Sequence, residues 1–190
     1  MKRALTAAIA LLAATAPAYA HLDPAGHGSF MAGFTHPLFG LDHILAMVAV
    51  GLWAAMLGGR SRWRVPAVFV GTMAAGFALA LAGVPLPFVE PAILASVVAL
   101  GLLVAMAARV PAAGCALIVG GFALFHGHAH GGEIGGADVF GYGAGFVLAT
   151  AMLHGSGIAL GLGLARFGAA PARWLGAATA AAGLVLMVQA

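Results

Sequence analysis

The chain has 190 residues, 63% of them hydrophobic and only 7% charged, against about a quarter charged in an ordinary soluble domain. Its net charge of +3 includes Lys2 and Arg3, and beyond them six arginines face five acidic residues; with no basic patch interleaved with aromatics, this excludes a nucleic-acid binder. The single cysteine, Cys115, excludes an internal disulfide and reads as a small core residue in an apolar run.

The first twenty residues read as a secretory signal peptide. Lys2 and Arg3 form a basic start, residues 4–14 a short apolar centre, and "APAYA" supplies small residues for cleavage after Ala20. Cleavage makes His21 the new amino terminus and leaves residues 21–190 as one domain. The freed α-amine and the imidazole of His21 form a chelating pair suited to nickel(II) or copper(II). His27 follows in the Gly- and Pro-punctuated stretch "HLDPAGHGSFMAGFT". That stretch has the reach to fold back over the first span, although a frayed terminus with an incidental histidine explains it as simply.

Six apolar stretches follow, at about 36–58, 65–84, 90–108, 111–130, 138–165 and 173–190. Each approaches the ~20 residues that a helix needs to cross the hydrocarbon. The expected fold is therefore an all-α membrane protein of six transmembrane helices, with both termini outside. The charges support this order. Arg60, Arg62, Arg64, Arg109, Arg166 and Arg173 fall on one side, while Asp23, Asp42, Glu90, Glu133, Asp138 and seven of the eight histidines fall toward the other, as the positive-inside rule demands. Twenty-nine glycines suit helices in close approach. The pairs Gly141/Gly145 and Gly157/Gly161 read as ordinary packing positions.

Span one opens on "FTHPLFGLDHILAMVAVGLWAAML". An aspartate at membrane depth costs on the order of 2.5–3.5 kcal/mol on insertion scales, so Asp42 calls for a compensating partner. Pro37 suits a first helical position, which starts the helix there and leaves His36 just outside. In an unbroken helix His36 and His43 stand ~10 Å apart along the axis, too far to share one ion. A bend at Pro37 or Gly40 brings them together. Met47 lies one turn beyond His43 on the same face.

Span four ends in "FHGHAHGGE". In extended backbone His126, His128 and His130 point one way. In a helix His126 and His130 share a face with Glu133, and His128 points elsewhere. Imidazole plus carboxylate suits a borderline divalent ion such as nickel, cobalt, zinc or copper, and suits calcium or magnesium poorly. A lone membrane histidine is more often a packing group than a ligand; two clusters on one side of one bundle point to a shared metal site formed by His36, Asp42, His43, His126, His128, His130 and Glu133. His154, ~18 Å from Arg166 along span five, is either a histidine bonded to Thr150 or a neighbouring carbonyl, or a relay on a transport path. Met47 and His27 are weaker members of that path.

With these residues in view, the chain resembles the HupE/UreJ family of membrane metal permeases. The matching text is "HPLFGLDHILAMVAVGLWA" in span one and "FHGHAHGGE" at the end of span four. The resemblance implies secondary uptake of nickel, with cobalt the alternative, across a bacterial inner membrane. It also implies service to hydrogenase, urease or cobalamin synthesis. It carries His36, Asp42 and His43 as one motif and His126, His128, His130 and Glu133 as the other.

The residues themselves leave three functions open. The first is a secondary transporter of a divalent ion with no organic cofactor. No phosphate-binding loop occurs in the sequence, so the drive is an ion gradient, the membrane voltage or simple facilitated diffusion. The second is an intramembrane zinc hydrolase, with three histidines and an aspartate holding the metal and Glu133 as base. The third is a membrane metal-binding assembly or sensor protein, whose expected mark is a soluble docking domain.

Overall fold

The computed structural model describes residues 28–190. The expected signal peptide and the two early histidines, His21 and His27, lie outside the described residues. Seven helices make up the rest: α1 Ser29–Phe39, α2 Leu41–Leu57, α3 Ser61–Leu81, α4 Val89–Ala105, α5 Ala112–Gly132, α6 Val139–Ala165 and α7 Ala170–Gln189. No strand occurs among them, so the all-α expectation stands.

Four helices, α3, α5, α6 and α7, are long and apolar enough to cross a membrane, and α1 with α2 makes a fifth if the bent pair is one span. The sixth expected span corresponds to α4, whose 17 residues fall at the short end of the crossing range. Surface chemistry matches a lipid-facing bundle. Leu117 is 78% exposed and Val188 88%, while histidines fill the interior, the inverse of a soluble protein. Exposed Trp63, Phe167 and Trp174 ring the arginine end, and Phe39, Phe88 and Phe140 ring the other, as interfacial aromatics do.

The start of span one differs from the sequence expectation. Pro37 does not open the helix; it lies inside α1, with His36 beside it in helical backbone. Proline removes only one intrahelical bond, and α1 is 11 residues long. The break falls instead at Gly40, whose extended backbone (φ −80°, ψ 112°) ends α1 and starts α2. The two axes meet at 80°.

The helices pack chiefly as α3 with α5, α4 with α7, α2 with α6 and α1 with α6, and α2 also touches α3 and α4. Each of these four pairs is locked by glycines from both partners. A Cβ on Gly76 would strike Leu124 O, and one on Gly127 would strike Met73 O. The same holds for Gly51 against His154 O and Gly157 against Val48 O, for Gly33 against Tyr142 O and Gly145 against Phe30 O, and for Gly101 against Ala180 and Gly176 against Ala105. Backbones therefore meet directly, the packing that small residues permit between membrane helices. At the arginine end, Trp53 Nε1 donates to Ala108 O at 2.9 Å and Arg173 Nε to Ala105 O at 2.8 Å. These bonds gather the ends of α2 and α4 and the start of α7. At the other end the Asp138 N–H donates to Ser29 Oγ at 2.7 Å, and the Asp138 carboxylate caps α6 by accepting from the Gly141 N–H.

Candidate metal centre

The 80° break at Gly40 is what brings the first motif together. It folds α1 back so that His36 and His43 stand with ring centroids 6.4 Å apart, instead of the ~10 Å of a straight helix. Helix α5 runs unbroken through the second motif to Gly132, with Glu133 at its C-cap. The stretch is helical, so His126 and His130 share the inward face and are fully buried. His128 faces away; its Nε2 lies 2.8 Å from Val84 O, in the loop between α3 and α4.

The two motifs interlock. His130 lies 4.7 Å from both His36 and His43 between ring centroids, and His43 lies 4.9 Å from His126. Glu133 Oε2 is 2.9 Å from His36 Nε2. Ligand atoms of His36, His130 and Glu133 all fall within 4.8 Å of one another. Two ligands of one tetrahedral ion bonded at ~2.1 Å stand ~3.4 Å apart, so the widest-spaced atoms of this set close on an ion by at most ~1.4 Å.

Asp42 answers the question of its own cost. Its Oδ1 lies 3.0 Å from His43 Nδ1. The carboxylate can only accept, so Nδ1 of a neutral His43 carries the proton and Nε2 bears the lone pair. That Nε2 is buried and has no hydrogen-bond partner among the described residues. This is the carboxylate–histidine arrangement that orients imidazoles toward metals. Below, Ser96 Oγ on α4 lies 2.9 Å from His126 Nε2. Phe69 on α3 lies beneath His126, ring centroids 5.7 Å apart, and against His154 at 5.0 Å. His154 is 1% exposed. Among the described residues neither of its nitrogens nor the Thr150 hydroxyl has a hydrogen-bond partner, so the expected alternative of a bond to Thr150 or a neighbouring carbonyl is not what holds this ring. Met47 is fully buried on α2.

Burial grades along this file. The Glu133 side chain is 43% exposed, that of His36 12%, and His130 and His126 are closed off entirely. Residues 9–186 match the HupE / UreJ protein family. The chain belongs to that family. It is 48% identical over 190 residues to Protein HupE of Rhizobium leguminosarum bv. viciae, an alignment that covers 97% of each chain. No solved structure matches it.

HupE/UreJ proteins are transport proteins rather than enzymes, associated with nickel and cobalt uptake and with nickel supply to hydrogenase and urease. The resemblance drawn from the two motifs is thereby borne out, and the hydrolase reading falls. Sequence reasoning passed over four residues that this HupE/UreJ chain packs against the candidate site. Phe146 packs on His130 at 3.9 Å between centroids, and Tyr142 lies 6.3 Å from His36 with its buried hydroxyl unpartnered among the described residues. Phe69 and Ser96 are the others. Ser96 had a usable signal: it is the one hydroxyl in the apolar helix "VEPAILASVVALGLLVA", and polar groups at membrane depth tend to be functional.

Proposed function

We propose that this protein is a secondary permease importing a divalent transition-metal ion, nickel foremost and cobalt as the alternative, across a bacterial-type inner membrane. In this reading the bundle has six spans, with α4 crossing as well, and both termini outside. The arginine-bearing loops then face the cytoplasm and the His/Glu end faces outward. The observation that carries the proposal is the graded file of imidazoles. It starts at half-exposed Glu133 and largely covered His36, passes buried His43, His130 and His126, and ends beyond Phe69 at His154.

An incoming ion meets a carboxylate and an imidazole first, exchanges water for nitrogen, and enters a nitrogen-rich interior suited to a borderline cation. Asp42 acts chiefly through His43 by orienting its free Nε2. His154 is the next station inward, and Met47 lines the same helix one turn below His43. His128, bonded to the Val84 carbonyl, stands outside the file. An inside-negative potential favours inward movement of a dication by roughly 4.6 kcal/mol per 100 mV, from ~2.3 per charge. The metal imported feeds a hydrogenase or urease maturation route, as the family association suggests.

The test is radionickel uptake by the purified protein in sealed vesicles, with cobalt, zinc and copper as competitors. Time-dependent, saturable accumulation that nickel outcompetes best supports the reading. Nickel binding without accumulation inside the vesicles would leave a binding or sensor protein in its place.

A further inference from the structure

Ser96 sits fully buried in the middle of α4 and makes two contacts. Its Oγ is 2.6 Å from Ile93 O and 2.9 Å from His126 Nε2. A hydroxyl has one proton to give. The Ile93 carbonyl can only accept, so the Ser96 proton goes there, in the back-bond to the preceding turn that serine makes in helices. The lone pairs of Oγ then face His126, and the bond can exist only if His126 Nε2–H donates. A neutral imidazole carries one N–H, so Nδ1 is left with its lone pair. That Nδ1 is buried and has no hydrogen-bond partner among the described residues. A doubly protonated ring would instead strand an N–H with no acceptor in a fully closed site, so the neutral ring is the consistent one.

We infer that Ser96 is a positioning residue that locks His126 in the Nε2–H tautomer and so presents Nδ1 to the ion. The inference rests on the reading of the His cluster as an ion-binding site. His43 is locked in the opposite sense, with Nδ1–H on Asp42 and Nε2 free. The rings of His43 and His126 lie edge to face at 4.9 Å with planes 90° apart. A carboxylate on α2 and a hydroxyl on α4 therefore prepare complementary nitrogens on facing histidines. The hydroxyl is a weaker acceptor than a carboxylate. Ser96 accordingly fixes the ring without adding charge, which keeps the deeper imidazole a softer hold on the ion.

Two measurements test this on the full-length protein in nanodiscs. The first is nitrogen NMR of metal-free protein labelled at histidine, with His126 assigned by its loss in His126→Gln. Wild type is expected to show His126 with Nε2 protonated, and Ser96→Ala to abolish that single state. An Nδ1-protonated His126 in wild type overturns the inference whether or not any variant folds. The second is equilibrium nickel binding. Ser96→Ala is expected to weaken it by about 10–100-fold, the usual effect of losing a partner that orients a metal-binding histidine. Alanine is a good helix former, so the fold is expected to survive, and unchanged thermal unfolding checks this. His126→Asn sets an amide atom near the Nδ1 position and is expected to keep part of the affinity. His126→Gln reaches toward Ser96 and is expected to lose more. The reverse order, or Ser96→Ala with wild-type affinity, overturns the inference. Failure of wild type itself to bind nickel sinks the ion-site reading instead, and the tautomer result still stands or falls by the NMR.

Discussion

The outer and inner ends of one histidine file are held in opposite ways. At the outer end His36 meets Glu133, His43 meets Asp42 and His126 meets Ser96, each through one ring nitrogen. At the inner end His154 has neither nitrogen engaged among the described residues and rests edge-on against Phe69. A partner on one nitrogen orients the ring and strengthens the other nitrogen as a ligand; an imidazole among apolar atoms gains neither. His130 shares the condition of His154, with no hydrogen-bond partner on either nitrogen among the described residues, and differs from it in its neighbours, the rings of His36, His43 and Phe146. In the permease reading, the difference teaches that capture and release ask for the same side chain in different settings. A path as strong at its inner end as at its entrance would hold the ion rather than pass it.

Four substitutions sharpen that contrast. His130→Ala removes the ring common to both motifs and is expected to have the largest effect. Nickel affinity by equilibrium dialysis should fall by more than the ~10–100-fold typical of a lost orienting partner, and affinity within that range would demote His130 to a packing role. Asp42→Asn keeps the volume but replaces the carboxylate that orients His43. It should weaken binding by about 10–100-fold and stop uptake in a protein that still inserts; undiminished uptake removes Asp42 from the mechanism. His154→Ala should leave equilibrium affinity unchanged while slowing initial uptake about tenfold, the equivalent of ~1.4 kcal/mol on the barrier. If uptake keeps its wild-type rate, the inner station is only packing. His128→Ala should change uptake least, at a cost in stability of about 0.5–1.5 kcal/mol for the bond to Val84 O. An uptake defect equal to that of Asp42→Asn would return His128 to the ion path.

Much of the outer site was legible because its parts are local in sequence. The spacing of His126, His130 and Glu133 puts them on one face of any helix, and span length fixes that face at the outer end of α5. Gly40 was legible as a possible break, but Pro37 competed with it. The choice turned on how α1 packs over α6, through Gly33 against Tyr142 and Gly145 against Phe30, which no local rule reports. Asp42 read as a ligand because a buried charge needs a partner, and the partner it finds is the adjacent histidine, one residue along. Phe69 was beyond reach, and Ser96, legible only as a lone hydroxyl in an apolar helix, could not be matched to its histidine, for a different reason. They meet His126 from helices α4 and α3, at 30 residues' separation for Ser96, and only the assembled bundle brings those faces together. The span count was the least secure part of the reading, because α4 ends at Ala105, short of the stretch expected to 108.

The reciprocal glycines have a mechanical consequence. Where backbone lies against backbone there is no side chain to swing aside, so α3 with α5 forms one plank and α2 with α6 another. Phe69 and His126 ride on the first plank; His43 and His154 ride on the second. The file of imidazoles is thus a seam between two stiff bodies, and in the permease reading a small change in the gap lets an ion past Phe69 without bending either. A cross-link within a plank should leave uptake intact, whereas one across the seam should arrest it.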